Sequence, residues 1–407
     1  MSEKTNKNVP ELRFKGFSDA WVQRKLGEVA KYSNGGSFEN DVVENGKYEL
    51  VTLKSVNVDG ELVSSGKYIN TDVATLNKGD LVMILSEQAP GLLGKTAVIP
   101  KEMSFVLNQR VAALEPNAYM DSLFLSKAIN VNQKYFSLRG AGTKVQNISK
   151  TNVENYDFGV PTLDEQRKIG EFFGILENTI AANQRKVDAL KDRKNAYLER
   201  IFNQTLRFSG FTEPWVQRKL GELMDVSSVK RIHQSEWTSS GVPFYRARDI
   251  VAKANGKVIE DPIFISQDKY DEYSSVSGKV QSGDLLVTGV GTIGIPLLID
   301  GRQPLYFKDG NVIWFKNNNV IDGSFFFHQF RTQRVKKFIK DVAGIGTVGT
   351  YTIDSGKKTP FNLPVDEAEQ QKIGHFFDAL DNLLAANQQK IDLLNQQKKA
   401  YLQQMFL

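Results

Sequence analysis

The chain has no cysteine among its 407 residues, which excludes disulfides, thiol nucleophiles and every zinc site built on thiolates. Histidine is nearly as scarce: His233, His328 and His375 are the only three, too scattered in sequence to suggest a metal cluster. A hidden metalloenzyme is therefore not expected. Long hydrophobic runs are missing as well. The longest uncharged stretch, Leu285 to Ile299, is shorter than a membrane span and is broken by Gly289, Gly291, Gly294 and Pro296. The opening Met1-Ser2-Glu3-Lys4 is charged and lacks an apolar signal region, so a cytoplasmic protein is expected. Charge of one sign is also in short supply. Lys and Arg number 52 against 47 Asp and Glu, a net +5 that suits a polyanion partner without demanding one. Divided after Phe202, the counts are 27 against 25 and then 25 against 22, so there is no basic tail. Any positive face has to be gathered by folding.

What is present is an ordinary globular composition, 41% hydrophobic and 24% charged, long enough for two or three domains. Self-similarity organises it. Arg13-Phe14-Lys15-Gly16-Phe17 followed by Trp21-Val22-Gln23-Arg24-Lys25-Leu26-Gly27-Glu28 returns as Arg207-Phe208-Ser209-Gly210-Phe211 and Trp215-Val216-Gln217-Arg218-Lys219-Leu220-Gly221-Glu222. The eight residues from Trp to Glu are identical in the two copies. Residues 166–202 and 370–406 match at 20 of 37 positions. Between these blocks, segments of about 30–160 and 224–363 barely resemble each other. The chain reads as a tandem duplication with two constant and two variable parts.

The long matched segments carry a heptad seam. Ile169, Phe173, Leu176, Ile180, Asn183, Val187, Leu190, Lys194, Tyr197 and Ile201 alternate four and three apart, as do Ile373, Phe377, Leu380, Leu384, Asn387, Ile391, Leu394, Lys398, Tyr401 and Met405. Each stripe needs a partner, and the simplest is the other helix, with the seam Asn fixing register at some cost in stability. Connectivity points to an antiparallel pair, because pseudo-symmetry brings the end of the second helix beside residues 13–29. Two independent helices, each packed on its own domain, are the alternative. The variable segments read as strand-rich. Expected strands are Tyr48–Lys54, Leu81–Leu85, Thr96–Ile99, Val111–Leu114, Leu285–Val287, Leu297–Ile299 and Val312–Phe315, with helices near 122–132 and 324–340. Gly79-Asp80 and Gly283-Asp284 look like equivalent turns, which implies that the variable parts share a fold. The expected whole is an α/β (α+β) fold: two variable domains separated by a long antiparallel two-helix coiled coil, with segments at 1–163, 164–206, 207–366 and 367–407.

Motifs for chemistry fail one by one. Ala89-Pro90-Gly91-Leu92-Leu93-Gly94-Lys95-Thr96 fits a loose P-loop, yet the required helix after the Lys is replaced by the strand-like Ala97-Val98-Ile99-Pro100. Its counterpart in the repeat has Ile295 and Pro296 where Lys95 and Thr96 stand. Gly289-Val290-Gly291-Thr292-Ile293-Gly294 matches a dinucleotide fingerprint but also runs into Pro296 and a strand. No Asn-Pro-Pro-aromatic or Asp-Pro-Pro-aromatic tetrapeptide of an amino-methyltransferase occurs, and no acidic pair with a Lys stands out as a nuclease centre. The chain looks catalytically empty, and emptiness with two variable domains points to recognition.

The paired Phe-x-Gly-Phe, Trp and Lys-Leu-Gly-Glu openings, with Pro161, Glu165-Gln166 and Ile169, and Pro364, Glu369-Gln370 and Ile373, at the helix starts, resemble the specificity (S) subunits of type I restriction-modification systems. The resemblance covers essentially the whole chain. It implies that each variable domain is a target recognition domain reading one half of a split, asymmetric double-stranded DNA sequence, with the helix pair setting the spacing. It implies two adenine-N6 methyltransferase (M) subunits and two restriction (R) motor-nuclease subunits as partners. AdoMet, ATP and magnesium would belong to those partners, and no catalytic residue, metal or cofactor is expected in this chain. Arg, Lys, Gln and Asn are the usual readers of base edges, and Lys and Arg the usual phosphate contacts. Candidates at expected strand ends and loops are Lys54, Ser86, Gln88, Lys95, Gln109, Arg110, Lys144 and Gln146 in the first domain. In the second they are Arg246, Arg248, Thr292, Lys308, Asn311, Thr347 and Tyr351. Ordinary solvated surface is the competing reading for each, and Arg110 and Arg246 suit structural ion pairs equally. Outward faces around Gln184-Arg185 and Gln388-Gln389 are candidate docking surfaces. A bipartite DNA-binding regulator without methyltransferase partners is the rival function.

Overall fold

The computed structural model describes residues 9–87, 91–142, 144–344 and 349–406. They divide into two compact units, Met1–Gln184 with Gln389–Leu407, and Arg185–Gln388.

In the first unit the run Leu81–Ile84 is apolar without interruption and wholly buried, which makes it a central strand covered on both faces. Its residues alternate between two cores. Leu81 and Met83 join Trp21 and Phe124, whereas Val82 and Ile84 join Ala97 and Val111. The strand lies in an antiparallel sheet of order Ala30–Asn34, Val111–Pro116, Leu81–Ile84, Thr96–Val98. A second sheet has the order Tyr68–Ile69, Tyr48–Val51, Phe105–Leu107, and its last two strands are parallel, with Leu50 opposite Val106. A ribbon of Val22–Lys25 with Asp157–Val160 closes the base.

The second unit repeats this plan. Its main sheet runs Asp225–Ser227, Val312–Lys316, Leu285–Thr288, Pro296–Leu298, and a second sheet holds Val242–Tyr245 parallel to Tyr306–Phe307. The ribbon is Val216–Lys219 with Pro360–Leu363. The two Gly-Asp turns are built alike. Asp80 accepts from the Asn77 N–H at 2.8 Å and Asp284 from the Gln281 N–H at 2.9 Å, while Gly79 and Gly283 donate to Ile99 and Ile299, each at 2.9 Å. The variable segments share a fold, as expected from those turns.

Several boundaries differ from the sequence expectation. The strand expected over Tyr48–Lys54 stops at Val51, because the Thr52 N–H donates to the Ser55 hydroxyl and Lys54 N–H to the Thr52 hydroxyl, turning the chain. The helix expected near 324–340 is two helices, Gly323–Phe330 and Gln333–Ala343. Between them the Thr332 hydroxyl donates to the Gln329 carbonyl at 2.8 Å. The helix near 122–132 is Ser122–Val131, capped by Asp121, whose carboxylate accepts the Phe124 N–H at 2.9 Å; Asp322 caps its counterpart through Phe325 at 2.8 Å.

The two long helices are Leu163–Phe202 and Glu367–Met405. Every seam position is buried or half-buried, and the pairing is antiparallel in each unit. In the first unit Phe173 meets Phe406, Phe172 meets Tyr401 and Glu177 meets Lys398. In the second, Phe377 meets Phe202, Phe376 meets Tyr197 and Asp381 meets Lys194. The seam amides Asn183 and Asn387 donate to carbonyls of their own helices, Thr179 and Leu383, each at 2.7 Å. As expected from pseudo-symmetry, the second helix ends beside the chain's beginning, where Leu12 N–H donates to the Gln404 carbonyl and Trp21 packs on Phe406. No helix of the described residues is long and apolar enough to cross a membrane.

Candidate nucleic-acid interface

Each recognition domain is fixed to its long helix by the same set of contacts. Glu165 is buried and holds Arg13 in a two-pronged ion pair at 2.8 and 2.7 Å; Glu369 holds Arg207 at 2.9 and 2.7 Å. Bonding to the carboxylate raises both guanidinium pKa values. The adjacent Gln166 accepts the Asp121 N–H at 2.9 Å and donates to the Tyr119 and Pro161 carbonyls, and Gln370 accepts from Asp322 and donates to Pro364. Gly170 and Gly374 let the capped helix approach: a Cβ there would sit 2.5 Å from Asp121 Oδ1 or 2.6 Å from Asp322 Oδ1. The Glu-Gln pair at each helix start is therefore a socket for the domain above it.

In each domain a parallel strand pair presents its carboxyl ends together. In the first domain Asn108 N–H donates to Val51 O at 3.0 Å, which sets Lys54 beside the turn Asn108-Gln109-Arg110. Lys54, Gln109 and Arg110 are exposed and line one cleft with Glu39, Thr52 and Lys67. No hydrogen bond or ion pair to another described residue occupies these three side-chain ends. Arg110 has φ 65°, a left-handed conformation that is uncommon away from glycine. In the second domain Lys308 N–H donates to Tyr245 O at 2.8 Å, which brings the segment Arg246-Ala247-Arg248 beside Lys308 and Asn311. A second pair of loops adjoins each edge through one backbone bond, Leu85 N–H to Arg110 O and Gly289 N–H to Asn311 O. These loops carry Lys144 and Gln146 in one domain and Thr292 in the other.

Other candidates are placed differently. Arg246 is not a free reader: its guanidinium binds Asp249 at 2.6 and 2.9 Å and the Asp261 carbonyl at 2.9 Å. Tyr351 is 2% exposed and belongs to the core. Its N–H donates to Gly289 O as the N–H of the buried Ile148 does to Leu85 O, so it fills an interior position of the shared fold. Its hydroxyl bonds Thr359, and burial pushes its pKa far up. Ser86 is equally buried, on a short strand against Gln146–Asn147. Arg248 is exposed and only loosely near Asp249, and Lys308 lies 3.5 Å from Asp309. Gln88 and Thr347 lie outside the described residues.

The P-loop-like stretch has its own occupant. The N–H groups of Leu92 and Leu93, which a phosphate would need, donate to the Glu87 carboxylate at 2.6 and 2.7 Å. Lys95 turns away toward the Asn130 carbonyl at 3.4 Å, and burial lowers its pKa. Its neighbourhood includes a feature that sequence reasoning missed: Lys127, buried, is held by Glu177 at 2.5 Å, and Lys398 reaches the same carboxylate at 2.7 Å. The corresponding place in the second unit holds His328 against Asp378 at 2.9 Å.

Two domains of one topology, each ending in an edge of hydrogen-bonding side chains and each socketed on paired helices, define a double-headed recognition protein. Comparison with known proteins gives the class its family. The sequence matches the Type I restriction modification DNA specificity domain over residues 18–192 and 212–396. It is 23% identical to the type I restriction enzyme MjaVIII specificity subunit of Methanocaldococcus jannaschii, covering 96% of this chain and 93% of that protein. It is 27% identical over 45% of each chain to a putative type I restriction enzyme specificity subunit, S.HindORF215P, of Haemophilus influenzae. The fold is shared with the S subunit of a type I restriction-modification system from M. genitalium, with a TM-score of 0.65, 16% identity, and coverage of 98% of this chain and 99% of that one. A chain from a structure of complex assembly and conformational transition in the type I R-M system has a TM-score of 0.55 at 16% identity, covering 94% and 96%. The chain belongs to the type I restriction-modification specificity subunits, non-catalytic proteins of DNA target recognition.

Proposed function

We propose that each of the two domains reads one half of a bipartite, asymmetric DNA target, and that the chain directs adenine-N6 methyltransferase and restriction subunits to it. The observation that carries this is the edge at the carboxyl ends of the parallel strands. It recurs in both domains at the same place in the fold, yet offers Lys54, Gln109 and Arg110 in one and Arg248, Lys308 and Asn311 in the other. One scaffold with two different sets of donors suits two unrelated half-sites. Gln and Asn match the adenine edge and Arg and Lys the guanine edge in the major groove, while the remaining cations fix orientation on phosphate.

Partners are supported by the repeat. Gln23-Arg24 and Gln217-Arg218 are exposed and identical in the two copies, although nothing in the packing requires those side chains. One docking place per unit fits two methyltransferase subunits, alongside the helix faces at Arg185 and Gln389. The partners supply AdoMet, ATP and magnesium chemistry, and they extrude the adenine to be methylated, since an enzyme cannot reach it inside a duplex. This chain supplies the grip on flanking bases and phosphates.

Mapping N6-methyladenine across the genome of the source cell, with and without the gene, tests the proposal. Loss of one split motif methylated on both strands is the expected result. Unchanged methylation together with tight, specific DNA binding by the chain alone would favour the regulator without partners.

A further inference from the structure

We infer that Asn108 is the positioning residue of the first domain's reading edge, braced by Glu39 and Lys67, and that it sets the selectivity of that half-site alone. This rests on the edge proposed above. Asn108 is 2% exposed and sits at the root of the Gln109-Arg110 turn. Both ends of its amide are used. Its Oδ1 accepts the Phe38 N–H at 3.2 Å, and its Nδ2 donates to Glu39 Oε1 at 2.8 Å. The other Glu39 oxygen takes the Lys67 ammonium, which with Asn108 holds the carboxyl below its ordinary pKa. The amide therefore cross-links the segment Gly35–Glu39 to the turn.

That segment presses on the turn from a second direction. Gly36 N–H donates to Leu107 O at 3.1 Å, Gly35 N–H to Val111 O at 3.3 Å, and a Cβ on Gly35 would lie 1.9 Å from the Asn108 carbonyl oxygen. Leu85 N–H holds the Arg110 carbonyl at 3.1 Å from a third. A turn that carries Arg110 at φ 65° keeps its aim only while these supports stay in place. Among the described residues, Gln109 and Arg110 have no side-chain hydrogen bond or ion pair to orient them. Their direction toward a base edge is inherited from the backbone that Asn108 fixes.

Among the described residues the second domain holds its corresponding turn, Lys308 to Asn311, by a different contact: Asp309 binds Arg231 at 2.7 Å, and Arg231 follows the first strand of the main sheet as Gly35–Glu39 does in the first domain. The two edges are braced from equivalent segments by different side chains, so a fault in one brace is confined to its own half-site.

The test uses the full chain with its methyltransferase subunits in the source cell, with methylated motifs read by sequencing. Asn108→Ala is expected to relax base choice in one half of the motif, lowering discrimination there about ten-fold, with the other half unchanged. The pair Asn108→Asp/Glu39→Gln restores the hydrogen bond with donor and acceptor exchanged and is expected to recover the original motif. Asn108→Asp alone sets two carboxylates face to face and should behave like Asn108→Ala. If Asn108→Ala leaves the motif intact while Arg110→Ala relaxes one half, the positioning role is overturned and the reading edge stands. If neither substitution alters the motif, the edge itself is misplaced and the inference falls with it. Should Asn108→Ala abolish the cooperative melt, the exchanged pair decides: a folded chain whose motif stays relaxed also overturns the inference.

Discussion

Replacing Glu177 by Gln should destabilise the first unit and leave the second untouched. The carboxylate binds two cations with little access to water: the Lys127 side chain is 6% exposed and that of Lys398 14%. Burial alone would raise the Glu177 carboxyl, but Lys127 and Lys398 outweigh it and hold the group below its ordinary value. Gln keeps the shape and removes the charge, so two ammonium groups are left facing each other without a counter-ion. Breaking a buried pair in this way costs roughly 3–5 kcal/mol, and the partial exposure of Lys398 argues for the lower end, about 3 kcal/mol. For a unit of about 200 residues each kcal/mol is worth roughly 2–4 °C, so the first unit should melt about 6–12 °C lower. Asp381, which holds Lys194 in the second unit, is more than a third exposed. Asp381→Asn should therefore cost only about 1 kcal/mol. Calorimetric melts of both variants check this. A Glu177→Gln melt within about 2 °C of the parent, or an Asp381→Asn loss as large as the Glu177→Gln loss, would refute the reasoning. The sign with pH is fixed too. Because the folded carboxyl lies below its unfolded value, its contribution is present above ordinary carboxylate pH and is lost as pH falls through the folded value. Lys127 acts in the same direction at higher pH, since burial lowers its ammonium pKa and stability rises as pH climbs through that lowered value.

Two further outcomes follow from buried polar groups. Burial lowers the His328 imidazole below its ordinary 6.5 despite Asp378, so between the two values the unfolded chain binds a proton that the folded chain does not. Stability of the second unit then falls as pH drops through that window, and His328→Asn should flatten the slope of melting temperature against pH below 6.5; an unchanged slope would count against it. Because Glu87 already occupies the amides of the P-loop-like stretch, ATP should leave the thermal melt of the isolated chain unchanged, with or without Lys95→Ala. An ATP-dependent rise that Lys95→Ala abolishes would establish a nucleotide site.

The scaffold was legible in the sequence because packing writes itself into periodicity. The seam from Ile169 to Ile201 and its copy had to face apolar partners, and the duplicated Trp21 and Trp215 mark where each helix end returns. The proposed reading edge was legible in part as a grouping, since Lys54, Gln109, Arg110, Arg248, Lys308 and Asn311, expected at strand ends and loops, gather at equivalent places. What could not be read were meetings between distant segments. Arg246 finds Asp261 only after a loop folds back, and Tyr351 is an interior residue because a strand-end backbone bond draws it in. Asn108 and Glu39 are 69 residues apart. Lys127 left one faint signal: it stands three residues after the buried Phe124, on the inward face of its helix, where a lysine needs a carboxylate.

The contrast between what the duplication kept and what it changed has a physical cause. The kept residues satisfy buried groups. Arg13 with Glu165, Gln166 with the Asp121 N–H and Gly170 under the cap have counterparts in Arg207, Glu369, Gln370, Asp322 and Gly374. Losing any of these leaves a charge or an amide unpaired away from water, at about 1–3 kcal/mol or more. Gln109, Arg110, Lys308 and Asn311 carry no such obligation, because their polar ends reach water. Under the proposed function, substitution there alters what is recognised without disturbing the fold. The boundary between the two classes falls at the roots of the turns, at Asn108 and Asp309, where a side chain is tied into the scaffold but its neighbours are not. A domain transplanted with its own capping Asp meets the same Glu-Gln socket and the same helix glycine. Its edge can therefore arrive with any set of readers that its own turn roots can hold.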